Sequence, residues 1–401
     1  MKRVAPCLVL GLGLLVAAVG CPSDNGEESL DVGVVDTGAD TGAPPPPPLP
    51  QGPLWTALEN QMKIFNETST RMRARLLDKD VITVLICGAG SPLPTTPDAQ
   101  ACAAVFVNGQ FLLFDAGDGA QRSMERLNLP MADLSGVFLT HYHNDHMADV
   151  GEVIQRSWVL GRRHSLPIYG GEGLDLLTRG FADAYKADNA YRMDHHGKGF
   201  LPQEFASAPG NPFTIGGAER KVVYSKDGVV VTAFNVNHPP VNPAIGYTVT
   251  FGGKKVVISG DTTDTEMLRQ EAKGADVFIS EVMNKEVVAG MEAISAKNGW
   301  HRNVTIYRDI RDYHIDVNEV GAIAQAGGVK TLILTHAIPN TTIASMMHTW
   351  YTIPIRAHYD GKLMIARDGT SVKMRTSNPV GGRKIVTEKY DSGALRSETS
   401  Y

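Results

Sequence analysis

A basic excess is missing from this chain. Its 38 lysines and arginines face 43 aspartates and glutamates, a formal charge of −5. Lys2 and Arg3, with Asp24, Glu27, Glu28, Asp31, Asp36 and Asp40, all precede residue 51. Residues 51–401 therefore carry 36 basic against 37 acidic side chains. That balance lacks the electrostatic footprint of a nucleic-acid binder, so a nucleic-acid partner is not expected. A GxSxG elbow and a glycine-rich phosphate loop are also absent, which removes two common ways of building a catalytic site. Long apolar runs are missing too. The one near the start, "CLVLGLGLLVAAV" after Lys2 and Arg3, is too short for a comfortable membrane span and suits a signal-peptide core.

Cysteine is scarce, with four in 401 residues. Cys7 falls inside the signal-like run. Cys21 closes "LLVAAVGC", which resembles a bacterial lipoprotein signal in which that cysteine becomes the lipidated N-terminus; Ala18 stands where leucine is usual. An uncleaved anchor helix is the alternative, and either reading exports the rest of the chain, facing a periplasm or the cell exterior. Cys87 and Cys102 remain. In an oxidising compartment they can pair, closing a loop of about 15 residues worth roughly 3 kcal/mol, or they can serve as two small buried apolar residues.

The expected organisation is a signal peptide over 1–20 and an acidic, proline-rich tether over 21–52. A helical lead-in over 53–80, the main folded domain over 81–375 and a flexible tail over 376–401 follow. The tether has no basic residue and ends in "APPPPPLP", too polar to fold and stiff at its proline end. Within the domain, β-rich runs alternate with helical stretches, which argues for a layered α/β architecture. The clearest helix is 316–328, with Asp316 as N-cap, Glu319 three residues on and Gly327 as its stop. Residues 175–220 and 284–314 are less regular and are expected as excursions over the site, the second partly helical.

Several apolar runs stop at a metal-binding side chain. "GVFLT" leads to His141, "KVVISG" to Asp261 and "TLILT" to His336. Strand ends that open onto one sheet edge are where α/β proteins build sites. In "LTHYHNDHMADV" (139–150), His141 and His143 lie two apart and point the same way in extended chain. Asp145 and His146 follow after a bend and can reach a second ion. Imidazole and carboxylate suit zinc, with manganese or iron(II) as alternatives.

"HxHxDH" behind a strand resembles the metal-binding signature of the metallo-β-lactamase fold superfamily, and the likeness spans roughly residues 80–375. It implies a four-layer αββα sandwich of two mixed β-sheets flanked by helices. It also implies two divalent metals, one held by His141, His143 and His238, the other by Asp145, His146 and His336, with Asp261 bridging. Asp115 in "FDAG" would orient the ligands. Two such cations lower the pKa of a bound water from 15.7 to about 7, so the implied activity is hydrolysis.

The long stretch between Asp261 and His336 is similar to ribonuclease Z and to its arylsulfatase-like and phosphodiesterase-like relatives. The likeness assigns Glu281 and His314 to a proton relay beside Asp145, with His314 as general acid. Zinc β-lactamases lack the bridging aspartate, and glyoxalase-like hydrolases lack the Glu/His stretch; lactonase activity ranks low for the same reason. Three departures turn the expectation away from tRNA: "AIPN" follows His336 where ribonuclease Z has Phe-Ser and then Arg-Tyr, "GAGSPLPTTPDAQAC" lacks its Arg-Asn pair, and the domain is neutral and exported. The expected substrate is a small organic sulfate or phosphate ester, with a ribonuclease Z-like RNA phosphodiester as the alternative. His195 and His196 are candidates for the cleft border. A metal-binding lipoprotein without turnover and a homodimer are both compatible with the sequence.

Overall fold

The computed structural model describes residues 47, 48, 50–93, 95–217 and 219–376, together with the backbone of 386–391 and 394–397. The signal segment, the lipidation candidate Cys21 and nearly all of the tether lie outside the described residues. The chain divides into two compact units at Arg71/Met72. In the first, the described structure is mainly the N-terminal part of a long helix, α1 (Pro53–Leu76), with lengthwise pairs Glu59–Lys63 and Glu67–Arg71.

The second unit is built from two sheets. The chain first lays down β1 (Val81–Gly88), β2 (Cys102–Val107), β3 (Gln110–Phe114), β4 (Leu134–Phe138), β5 (Ile168–Gly170) and β6 (Gly210–Pro212). It then forms β7 (Arg220–Lys226), β8 (Val229–Asn235), β9 (Ile245–Phe251), β10 (Lys254–Ile258), β11 (Val277–Met283), β12 (Thr331–Ile338) and β13 (Lys362–Ile365) in the other sheet. Finally β14 (Thr370–Arg375), β15 (Val386–Asp391) and β16 (Ala394–Ser397) return to the first. The spatial orders are β16-β15-β14-β1-β2-β3-β4-β5-β6 and β13-β12-β11-β10-β9-β8-β7. Both sheets are mixed: β1, β2 and β3 pair antiparallel while β3, β4 and β5 run parallel. In the second sheet, β9 and β10 are antiparallel, and β10 through β13 are parallel.

Helices cover the outer faces. The first sheet's are α2 (Ala120–Arg126), α3 (Asn144–Met147), α4 (Val150–Val159) and α5 (Leu174–His196). In the second sheet's half lie α6 (Glu266–Ala272), α7 (Lys285–Lys297), α8 (His301–Asp309) and α9 (Val317–Ala326). Alternation along β1 shows the layering. Val84 and Ile86 face the other sheet, among Val231, Tyr247, Ile279 and Ile333, while Leu85 faces Met124 and Val153 of the helices. A strand covered on both faces needs apolar residues at every position, which is why "VITVLIC" shows no polar-apolar alternation. On the far side, Phe278 and Leu332 pack against Leu268, Val320 and Ile323 of α6 and α9. The fold is the expected αββα sandwich.

Helix α9 carries the capping box read from its sequence: Asp316 caps Asn318 N–H, and Glu319 accepts from Asp316 N–H. The stretch 175–220 differs from expectation, because its first half is the 23-residue helix α5. Among its described residues only Leu174, Thr178 and Asn189 are buried. So little apolar periodicity gives no amphipathic signal from which to read a helix.

Candidate metal centre

The two sheets open together at one edge, and the polar residues that end their strands gather there. His141 and His143 follow β4; Asp145 and His146 sit in α3, one turn on. Nε2 of His141 lies 2.9 Å from Nδ1 of His143, and Nε2 of His238 lies 3.4 Å from the same atom. Oδ2 of Asp261 stands 4.0 Å from His141 Nε2 and 3.9 Å from His238 Nε2. Nitrogens at 2.0–2.1 Å from one tetrahedral zinc are about 3.3 Å apart. This group has the spacing to hold one ion.

A second group adjoins it. Nε2 of His336 is 3.0 Å from Oδ2 of Asp145, and His146 Nε2 is 3.6 Å from that oxygen. Asp261 reaches this group as well, with Oδ1 3.4 Å from His146 Nε2 and Oδ2 3.6 Å from His336 Nε2. Its carboxylate thus faces both groups. Among the described residues His146 Nε2 is buried without a hydrogen-bond partner, which costs roughly 1–3 kcal/mol unless something meets it. A cation does, so the residues fit the metals that their types suggest.

Hydrogen bonds behind the ligands fix which nitrogen faces inward. Asp115 accepts from the Thr140 N–H, from Thr140 Oγ1 and from His146 Nδ1, each at 2.8 Å. Thr140 gives its only hydroxyl proton to Asp115, so its contact of 3.0 Å with His141 Nδ1 is one in which the imidazole donates. His238 Nδ1 donates to the Tyr313 carbonyl at 2.9 Å. In all three rings Nε2 keeps its lone pair for a metal.

The backbone is bent to serve this arrangement. Asp115 has φ 58° and His336 has φ 49°, unusual for residues with a side chain and typical of strain held at functional sites. His336 does not end its strand, as the sequence suggested. Opposite β11, Glu281 pairs with Thr335 and Val282 with Ala337, so His336 is a bulged residue aimed out of the ladder. Gly117 lets the loop after β3 pass α3: a Cβ there would lie 1.9 Å from the Asp145 carbonyl oxygen.

The electrostatics divide the histidines. Burial first, with His146 close by, lowers the pKa of His141 well below the usual value, and burial lowers that of His238 to about 4. Both are neutral, the state in which an imidazole can bind a metal. Burial also opposes charge on His146 and His336, but Asp261 and the neighbouring carboxylates outweigh it. They raise His146 well above normal and His336 to about 9. Asp261 stays ionised despite burial, because His336 and His146 flank it. The pocket therefore draws positive charge.

Glu281 and His314 complete the surroundings. Both Glu281 oxygens lie 2.9 Å from His314 Nδ1, and one accepts from the Thr262 N–H at 2.8 Å. Burial and then Asp261 raise Glu281 well above the carboxylate range, while burial lowers His314 to about 4. Burial thus disfavours charge on both members of the pair, and His314 Nδ1 stands 4.0 Å from Asp261 Oδ2. His195 and His196 lie elsewhere: both are exposed on the last turn of α5, their rings meeting each other and that of His196 also meeting Phe200. Cys87 and Cys102 are joined as a disulfide. The sequence reading missed Thr140 and Tyr313; an ordinary threonine before a histidine and a backbone carbonyl carry no motif.

An αββα sandwich whose strand ends gather histidines and aspartates in this order defines a class, the divalent-metal hydrolases of one fold. The chain belongs to the metallo-beta-lactamase superfamily, and that family's model matches residues 95–267. It is 32% identical over 262 residues to "Ribonuclease Z" of Mycobacterium bovis, covering 65% of this chain and 87% of the relative. To "Ribonuclease Z" of Mycobacterium marinum it is 30% identical over 291 residues, 72% of this chain and 97% of the relative. Among solved structures it resembles the metallo-beta-lactamase fold protein YhfI from Bacillus subtilis, with TM-score 0.53 and 20% identity, covering 74% and 100% of the two chains. The short form of human tRNase Z gives TM-score 0.51 and 17% identity over 72% and 98%.

Proposed function

We propose that this hydrolase is a two-metal phosphodiesterase of the ribonuclease Z type. The observation that carries the reading is the junction at Asp261, whose carboxylate faces both ligand groups and stands 4.0 Å from Nδ1 of His314, itself hydrogen-bonded to Glu281. The sulfate-ester expectation drawn from the sequence has no counterpart among the ribonuclease Z relatives, so the phosphodiester alternative now leads.

Two divalent ions, zinc by ligand type, would acidify a water and offset charge on the phosphoryl oxygens. The protein's part is positioning and proton supply. Asp115 and Thr140 hold His141 and His146 in the ligating orientation. Glu281 engages His314 Nδ1, which leaves Nε2 as the nitrogen to protonate the departing oxygen. The charge balance of residues 51–401 and the missing Arg-Asn pair favour a short or small phosphodiester over a long RNA as second reading. Export with Cys21 lipidated remains part of this proposal, tested by labelled-palmitate incorporation into wild type and Cys21→Ala.

The deciding experiment loads the protein with zinc or manganese and offers bis(4-nitrophenyl) phosphate, an RNA with a 3′ trailer, and 4-nitrophenyl sulfate. Phosphodiester turnover without sulfate turnover is expected. Faster sulfate cleavage reverses the assignment, and two bound ions with no turnover would indicate a metal-binding protein.

A further inference from the structure

We infer that the Cys87–Cys102 disulfide is a positioning brace for the second metal group, so that this centre is completed only in the oxidised chain. The inference rests on the two-ion reading above. Cys87 lies near the end of β1 and Cys102 opens β2, and both are buried. Each sulfur sits two residues or fewer from a backbone contact with the metal-ligand frame. On the Cys87 side, the carbonyl of Ala89 accepts from the His336 N–H at 3.0 Å. That bond holds the bulged residue at its positive φ. On the Cys102 side, the carbonyl of Ala101 accepts from the Gly117 N–H at 3.0 Å, and Ala116 N–H donates to the His146 carbonyl at 2.8 Å. Gly117 is also the residue that presses against Asp145. A small cavity joins the two regions, lined by Ala101 and Cys102 together with His146, Asp261, Glu281 and His336.

The consequence is asymmetric. His336 and His146 are reached from the bridged ends by one or two hydrogen bonds, and Asp145 through its close packing against Gly117. His143 and His238 take their positions from the turn after β4 and from the Tyr313 carbonyl. Between Cys87 and Cys102 the strands are also out of step: Ile86 pairs with Ala103, and Gly88 with Cys102. Ladder hydrogen bonding is interrupted at the point where the sulfur bridge joins the strands. Without the bridge, the Ala89 loop is held to the β2 side only by the Gly90 N–H on the Ala99 carbonyl and by Asp368, which accepts from the Ala89 and Ala99 N–H groups, and a ligand in strained backbone loses part of its support.

Cobalt(II) titration tests this, because each bound equivalent gives its own visible absorption. Wild type is expected to take two equivalents; fewer would defeat the two-ion reading itself. Cys87→Ala/Cys102→Ala, and Cys87→Val/Cys102→Ala to restore lost volume, should bind the first equivalent as wild type does. Both should bind the second at least tenfold more weakly. Two equivalents at wild-type affinity in either variant would overturn the brace. So would joint loss of both equivalents in both variants, since that is collapse of the domain and not a local effect.

Discussion

Asp115 shows how much of the centre depends on one carboxylate that meets no ion. It accepts three hydrogen bonds, two from Thr140 and one from His146, and its strained φ places it beneath both ligand groups. Asp115→Ala should cost 10–100-fold in metal affinity, measured by competition with a chromophoric chelator; an unchanged affinity would refute the orienting role. At His314 the chemistry is separable from the metals. His314→Ala should slow phosphodiesters with alkoxide leaving groups by about 10²–10⁴-fold, yet barely affect 4-nitrophenoxide, which leaves without a proton. Equal losses on the two kinds of ester would remove the acid role. At this scale the sequence was informative, because the proposed ligands are side chains with recognisable chemistry and four of them are packed into "HYHNDH". What it hid were partners without such identity. The Tyr313 carbonyl and the Thr140 hydroxyl matter through where the chain places them.

Elements were legible where apolar periodicity was strong and silent where it was weak. The strand runs and the capped helix α9 stand out as patterns, while α5 is mostly solvated and offered no stripe to read. The bulge at His336 was also hidden: "TLILTH" reads as a strand stopping at a polar residue, but β12 resumes pairing at Ala337. Pairing of β10, β11 and β12 is reinforced at the opposite end by Asp276. It accepts from the Lys255 N–H at 3.0 Å and from Lys330 Nζ at 2.7 Å, with Lys254 Nζ 3.5 Å away. Burial opposes its charge, yet the Lys330 hydrogen bond and these neighbours leave its pKa below normal. A carboxylate lowered on folding stabilises above its unfolded pKa of about 3.9 and loses that contribution as pH falls through the lower folded value. Asp276→Asn should therefore cost about 1–2 kcal/mol at pH 7, discounted because Lys330 is largely solvated. The gap from wild type should close below about pH 4 in urea titrations. A gap that persists undiminished at pH 3 would assign the effect to packing instead of charge.

Across the whole molecule, the sandwich core and the metal centre are in tension. Phe138 stacks on Phe114 and Tyr169, at 5.0 and 4.8 Å, and meets Tyr224 and Tyr247 edge-on. That aromatic cluster needs no ion to form. A few residues further along β4's exit, buried Asp115, Asp145 and Asp261 are gathered at one sheet edge, where ionised carboxylates repel unless positive charge sits among them. Without metal, the carboxylates favour protons on His336, whose pKa rises to about 9, and on His146, which they raise in the same direction against burial. Divalent ions held by the same side chains would replace them with more charge. Binding to the folded state alone adds about 4 kcal/mol when free metal exceeds Kd a thousandfold. A domain of this size gains roughly 2 °C for each kcal/mol. Removing metal with EDTA should then lower Tm by about 8 °C and zinc should restore it, whereas Asp261→Ala should show almost no response to either. Equal melting of the wild-type protein with and without chelator would mean that the carboxylates at this edge are balanced by protons alone.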